Sequence, residues 1–202
     1  MNIEAVSARM HFLTRLRAET RPRHDAIEAA LELTSSALTL GTYRQTLTRF
    51  YGFYGPLEAG LWAVGGWVER GLDLTERRKT PLLEADLRAL GVANPQDLPV
   101  CTDLPPHDTV AATFGCLYVL EGATLGGQVI SPVLRKRLGV TPDTGGRFFD
   151  GYGDRTGPMW QAFRAALVAF AVTSGDQDEI VSAAKDTFSK LHRWMTAGGN
   201  NR

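Results

Sequence analysis

At 202 residues the chain is long enough for one well-buried core, and its 22 Lys and Arg balance its 22 Asp and Glu. Zero net charge leaves no field of one sign to mark it for nucleic acid or an anionic membrane. Its 44% hydrophobic and 22% charged residues are ordinary for a globular protein, and two cysteines are too few for a disulfide framework or a zinc site.

The opening segment MNIEAVSARMHFLTRLRAE interleaves Glu and Arg with its apolar residues, unlike a secretory signal, so a cytoplasmic location is expected. Helical period then dominates. A first helix is expected over Ile3 to Leu33, with Leu13, Leu16, Thr20, His24, Ile27 and Leu31 on one face and a kink or split at Pro22. A second should start near Thr42 and run past Leu57 with Tyr43, Leu47, Phe50 or Tyr51, Tyr54, Leu57 and Leu61 inward. Thr80 and Pro81 read as the N-cap and first turn of a short helix that Gly91 ends. Residues 92 to 108, rich in proline, read as loop.

From about Thr109 a long helix should run to Leu138 and stop at Gly139. Its apolar stretches are broken well before the roughly 18 residues a transmembrane span needs. The stretch TPDTGGRFFDGYGDRTG reads as loop, and helices from Pro158 to about Val172 and from Asp176 to Met195 follow. The tail 196–202 should be disordered. The expectation is one all-α domain over 1–202 with six to eight helices.

Two features bear on chemistry. His24 falls in register with an apolar stripe, and Glu28, four residues on, can reach its ring. A carboxylate on Nδ1 would fix the tautomer and leave Nε2 free for a metal. Arg17 shares that side and could meet an anion. A packed imidazole beside a surface Glu explains the same spacing. In LYVLEGATLGGQVI, Gly122, Gly126 and Gly127 each cost a helix about 1 kcal/mol relative to Ala. They permit either close helix packing or the approach of main chain to a flat ligand, and the adjacent pair Gly126–Gly127 leans toward the ligand. The aromatic run RFYGFYGPLEAGLW reads as core. No His-Glu-x-x-His motif, P-loop or nucleophile–base pair is present.

These pieces together resemble the heme oxygenases, in their bacterial, biliverdin-producing branch associated with bacteriophytochromes. LRAETRPRHDAIEAAL is similar to that family's proximal-histidine helix, TYRQTLTRFYGFYGPLE to its second helix and TPLLEADLRALG to its third. LYVLEGATLGGQVI is similar to its glycine-rich distal helix, and MWQAFRAAL to the later helix that reaches the heme edge. The resemblance implies a heme-oxygenase-like helical bundle that opens the porphyrin of heme to biliverdin, releasing CO and ferrous iron. Heme would be substrate and cofactor, with O2 and electrons from a ferredoxin or an NAD(P)H reductase. An apo-phytochrome is an implied recipient of the product.

Carried over by position, the resemblance makes His24 the iron ligand with Glu28 behind it. It makes Gly122 and Gly126 the catalytic distal residues, with Gly127 beside them at the cofactor. Arg17, Arg164 and Tyr118 become candidates for the propionate edge. Animal members carry an Asp after the first distal glycine, where this chain has Ala123. That departure keeps a heme carrier or sensor as an alternative. A helical relative acting on thiamin or quinone precursors is a third reading.

Overall fold

The helical periods resolve, in a computed structural model describing residues 3–197 with side chains from residue 11, into seven α-helices and no strand among the described residues. These are α1 (Ile3–Leu31), α2 (Leu40–Ala63), α3 (Thr80–Ala89), α4 (Val110–Leu138), α5 (Arg147–Asp150), α6 (Thr156–Phe170) and α7 (Ser174–Thr196). Residues 198–202 of the tail lie outside the described residues. α1 runs through Pro22 as one helix. It is tied to α7 on both sides of that proline, by Arg15–Asp178 and Glu19–Lys185 before it and by Arg23 donating to Ser189 after it. Those anchors offset the hydrogen bond that proline removes, which is why the expected split does not occur.

Threonines start three of the long helices. Thr39, Thr109 and Thr173 each accept a hydrogen bond from an amide of the first turn, and Gly139 ends α4 in the left-handed region at φ 66°. α3 departs from its sequence reading. Lys79, not Thr80, is its N-cap, and it supplies no side-chain bond. The buried Glu58 of α2 does the capping instead. Its carboxylate accepts from Lys79 N at 2.6 Å, Thr80 N at 3.1 Å and Thr80 Oγ1 at 2.6 Å. Asp86 serves α5 likewise, accepting from Arg147 N and Phe148 N at 2.9 and 2.8 Å. Burial pushes the Asp86 carboxyl up to about 6 against the pull of those amides.

The 141–157 stretch is more ordered than its Gly-rich composition suggests. It holds α5 and two 3-10 turns, and it buries Phe148 and Phe149 in an aromatic group with Phe50 and Tyr54. One contiguous core joins all these elements. α4 is its central helix: it is long and apolar enough to cross a membrane, but 67% of that apolar stretch is buried inside the protein. Its apolarity is therefore that of a core helix, which the broken apolar runs alone did not reveal.

α4 packs on α7, α5 and α6, while α1 packs on α7 and α6. Gly115 makes the α4–α7 contact possible, because a Cβ there would sit 2.5 Å from the carbonyl oxygen of Ile180. Replacing Glu58 with alanine strands three donors at the start of α3. Urea denaturation of Glu58→Ala should show a loss of about 2–4 kcal/mol, and an unchanged midpoint would contradict the capping role.

Candidate heme site

On the inward face of α1, Leu16, Thr20 and Ile27 are 0%, 2% and 7% exposed. His24 lies on that stripe, yet its side chain is 45% exposed. One ring edge rests on Phe188 of α7 at 5.8 Å between centroids. Nδ1 lies 3.5 Å from both Asp25 Oδ1 and Glu28 Oε2, and the ligating atoms of the three residues fall within 4.8 Å of one another. Asp25 thus shares the position expected for Glu28 alone. A residue adjacent in sequence is invisible to a helical-spacing argument, which looks three or four positions away.

α4 is buried along one continuous stretch until its glycines. Residues 111–121 are buried apart from half-buried Tyr118. Then the face opens. A Cβ built on Gly122 or on Gly126 meets nothing within 4 Å. No neighbouring helix occupies that face, so close helix packing does not explain these two residues. Gly127 is the opposite case, and here the sequence expectation needs correction. A Cβ on Gly127 would overlap the carbonyl oxygen of Phe149, so this glycine lets α5 lie against the back of α4. Adjacent helix positions point about 100° apart, and the two members of the Gly126–Gly127 pair accordingly serve different neighbours.

Tyr118 joins the two walls. Its hydroxyl lies beside the Thr20 side chain of α1, with the charges of Arg17 and Arg164 in reach. Burial raises the phenol above its ordinary value, while Thr20 and the two arginines pull it back. Its ring meets Trp160 of α6 at 5.8 Å. One helical turn beyond Thr20 comes His24, and one turn beyond Tyr118 comes Gly122. Each of α1 and α4 packs mainly on α7. Arg17 and Arg164 thus both act on Tyr118 through their charge, while His24 on α1 keeps a half-exposed imidazole and Gly122 and Gly126 on α4 face open space.

Ala123 is exposed, and Glu121 is 2% exposed on another side of α4, among Arg77, Lys79 and Tyr152. The contrast among the glycines is testable without any ligand. Gly122→Ala and Gly126→Ala should each raise the urea stability of the ligand-free protein by up to about 1 kcal/mol, the helix propensity gain. Gly127→Ala should lower it by about 1–3 kcal/mol, the usual cost of overpacking.

The family model of heme oxygenase matches residues 10–197. A heme oxygenase of Xanthomonas campestris pv. campestris (strain 8004) is 33% identical over 163 residues, covering 77% of this chain and 90% of that protein. In structure, the chain is similar to the NO- and CO-bound heme oxygenase of Neisseria meningitidis, with a TM-score of 0.78, 21% identity, and coverage of 92% and 90% of the two chains. It is also similar to heme oxygenase-2 of Synechocystis sp. PCC 6803 in complex with heme and NO, with a TM-score of 0.74, 19% identity, and coverage of 91% and 83%. The matched residues span nearly all of the described helices, and the chain belongs to the heme oxygenase family.

Proposed function

We propose that this chain binds heme between α1 and α4 and opens its ring to biliverdin, releasing CO and ferrous iron. The observation that carries the site is the open face of Gly122 and Gly126, one turn from the Tyr118–Thr20 junction. The residues present fit a heme. A flat macrocycle needs a wall without side chains, its iron needs a neutral imidazole, and its two carboxylates need cations or donors at one edge. Heme, when bound, supplies both the redox iron and the ring that is consumed.

The protein's own residues do the rest. A proton on His24 Nδ1 would face the carboxylates of Asp25 and Glu28, which would leave Nε2 free to hold the iron. Arg17, Arg164 and Tyr118 bind the carboxylate edge and orient the ring in its plane. The side-chain-free backbone at Gly122 and Gly126 would let a flat macrocycle lie close to the main chain. Membership of the family favours turnover over storage, and it sets aside the readings without heme.

Electrons come from a separate ferredoxin or an NAD(P)H reductase. Arg23 and Arg193 line a hollow beside Phe188, the ring against which His24 rests, and offer positive charge to an acidic donor. An apo-phytochrome is a fitting recipient of the bilin. Both cysteines are free and buried, in keeping with a reducing cytoplasm.

His24→Ala should weaken hemin binding on the order of tenfold or more, lose the Soret spectrum of the wild-type complex and abolish bilin formation. Added imidazole should restore the spectrum. If affinity, spectrum and ring opening all survive, His24 is not the ligand. Raising ionic strength should slow reduction by ferredoxin but leave reduction by dithionite unchanged; equal sensitivity would remove the cationic hollow from the account.

A further inference from the structure

Four ionisable side chains meet behind α4 with no part in the site just described. Arg77 Nη1 donates to Glu121 Oε2 at 2.5 Å, and the Tyr152 hydroxyl donates to Glu121 Oε1 at 2.6 Å. Lys79 Nζ lies 3.6 Å from Glu121 Oε1 and 3.7 Å from the centre of the Tyr152 ring. Arg77 also reaches the carbonyl oxygen of Met159 at 3.3 Å, and Lys79 that of Arg77 at 3.1 Å. Arg77, Lys79 and Glu121 are 5%, 1% and 2% exposed.

Stability alone does not account for such a group. Burying charges is costly, and apolar replacements of similar volume commonly leave a protein as stable or more so. The strain of burial is visible at Lys79, whose ammonium is pushed down to about 8, chiefly by desolvation. What the group supplies is registry. It ties α4 to the link before α3, to the turn before α6 and to the first turn of α6 itself. The tie falls on the residue before Gly122, where the helix is weakened by missing side chains. From the same side, Gly151 lies 3.4 Å from Thr124 by its would-be Cβ, and Phe149 seats on Gly127. The open segment is thus backed at positions 121, 124 and 127 while 122 and 126 look the other way.

We propose that Glu121 is a positioning residue, through which the buried Arg77–Lys79–Tyr152 group fixes the height of the distal backbone over the heme slot. This rests on the reading of the slot given above. Single loss of Glu121 would leave Arg77 and Lys79 buried without their counter-charge and threaten folding, so the informative protein is fully apolar. In it Arg77→Met, Lys79→Met, Glu121→Leu and Tyr152→Phe are combined, with Tyr152→Phe alone as a milder second variant.

The combined variant should match or exceed wild type in thermal stability. In the ligand-free protein, amide exchange across 122–127 should nevertheless speed up by about tenfold, the size of a typical coupling between packed elements. With hemin, reduced and exposed to CO, its C–O stretching band should broaden or split, and its bilin should become a mixture of ring-opening isomers. Tyr152→Phe should shift the band in the same direction by less. Wild-type exchange, band and isomer pattern in a stably folded combined variant would overturn the proposal. Slow wild-type exchange with failure of wild type to take up hemin would instead overturn the slot, and with it the role over heme, while leaving the tie on α4 in place.

Discussion

The arrangement depends on the close seating of α4 on α7. At Gly115 the two backbones approach to a distance that a methyl group would forbid, with Ala183 and Ala184 of α7 beneath. α1 is anchored to the same helix by Arg15–Asp178, Glu19–Lys185 and Arg23–Ser189. The spacing between α1 and α4 is therefore set indirectly, by what each makes with a third helix. Each of the two buries its apolar surface mainly against that helix, and the slot proposed for heme lies between them.

Along α4 four glycines divide the labour by helical phase. Gly115 admits α7 and Gly127 admits α5, while Gly122 and Gly126 admit nothing of the protein's own. Gly122 and Gly126, which face open space, forgo about 2 kcal/mol of helix propensity. At about 25 cal/mol per Å2, burial of roughly 80 Å2 of apolar ligand surface would balance that sum. A heme bound in the proposed slot has ample area for it, so the loss of helix stability would be offset in the complex.

Much of this was legible in the sequence, for reasons specific to particular residues. Leu16, Thr20 and Ile27 showed the inward face of α1 by spacing alone, and the ends of α4 at Thr109 and Gly139 were placed correctly, where the structure shows a side-chain cap and a left-handed glycine. What was hidden depends on partners distant in sequence. The cap of α3 comes from Glu58, some twenty residues upstream, so the local Thr-Pro signal pointed one residue too far. The packing role of Gly127 needs Phe149, and the setting of Glu121 needs Arg77 and Tyr152. Periodicity reports which face is buried; it does not report what is buried against it. α5 escaped notice because four residues are too few to show a period.

α1 and α4 are fastened to α7 by different physics. α4 is held to α7 by backbone contact in a dry interior, which dissolved ions do not reach. The ties that hold α1 to α7 include Arg15–Asp178 and Glu19–Lys185, pairs whose side chains are one-third to nearly two-thirds open to solvent and so subject to screening. α1, which carries His24, is consequently the more compliant of the two helices, and α4, which carries the glycines, is the more firmly fixed.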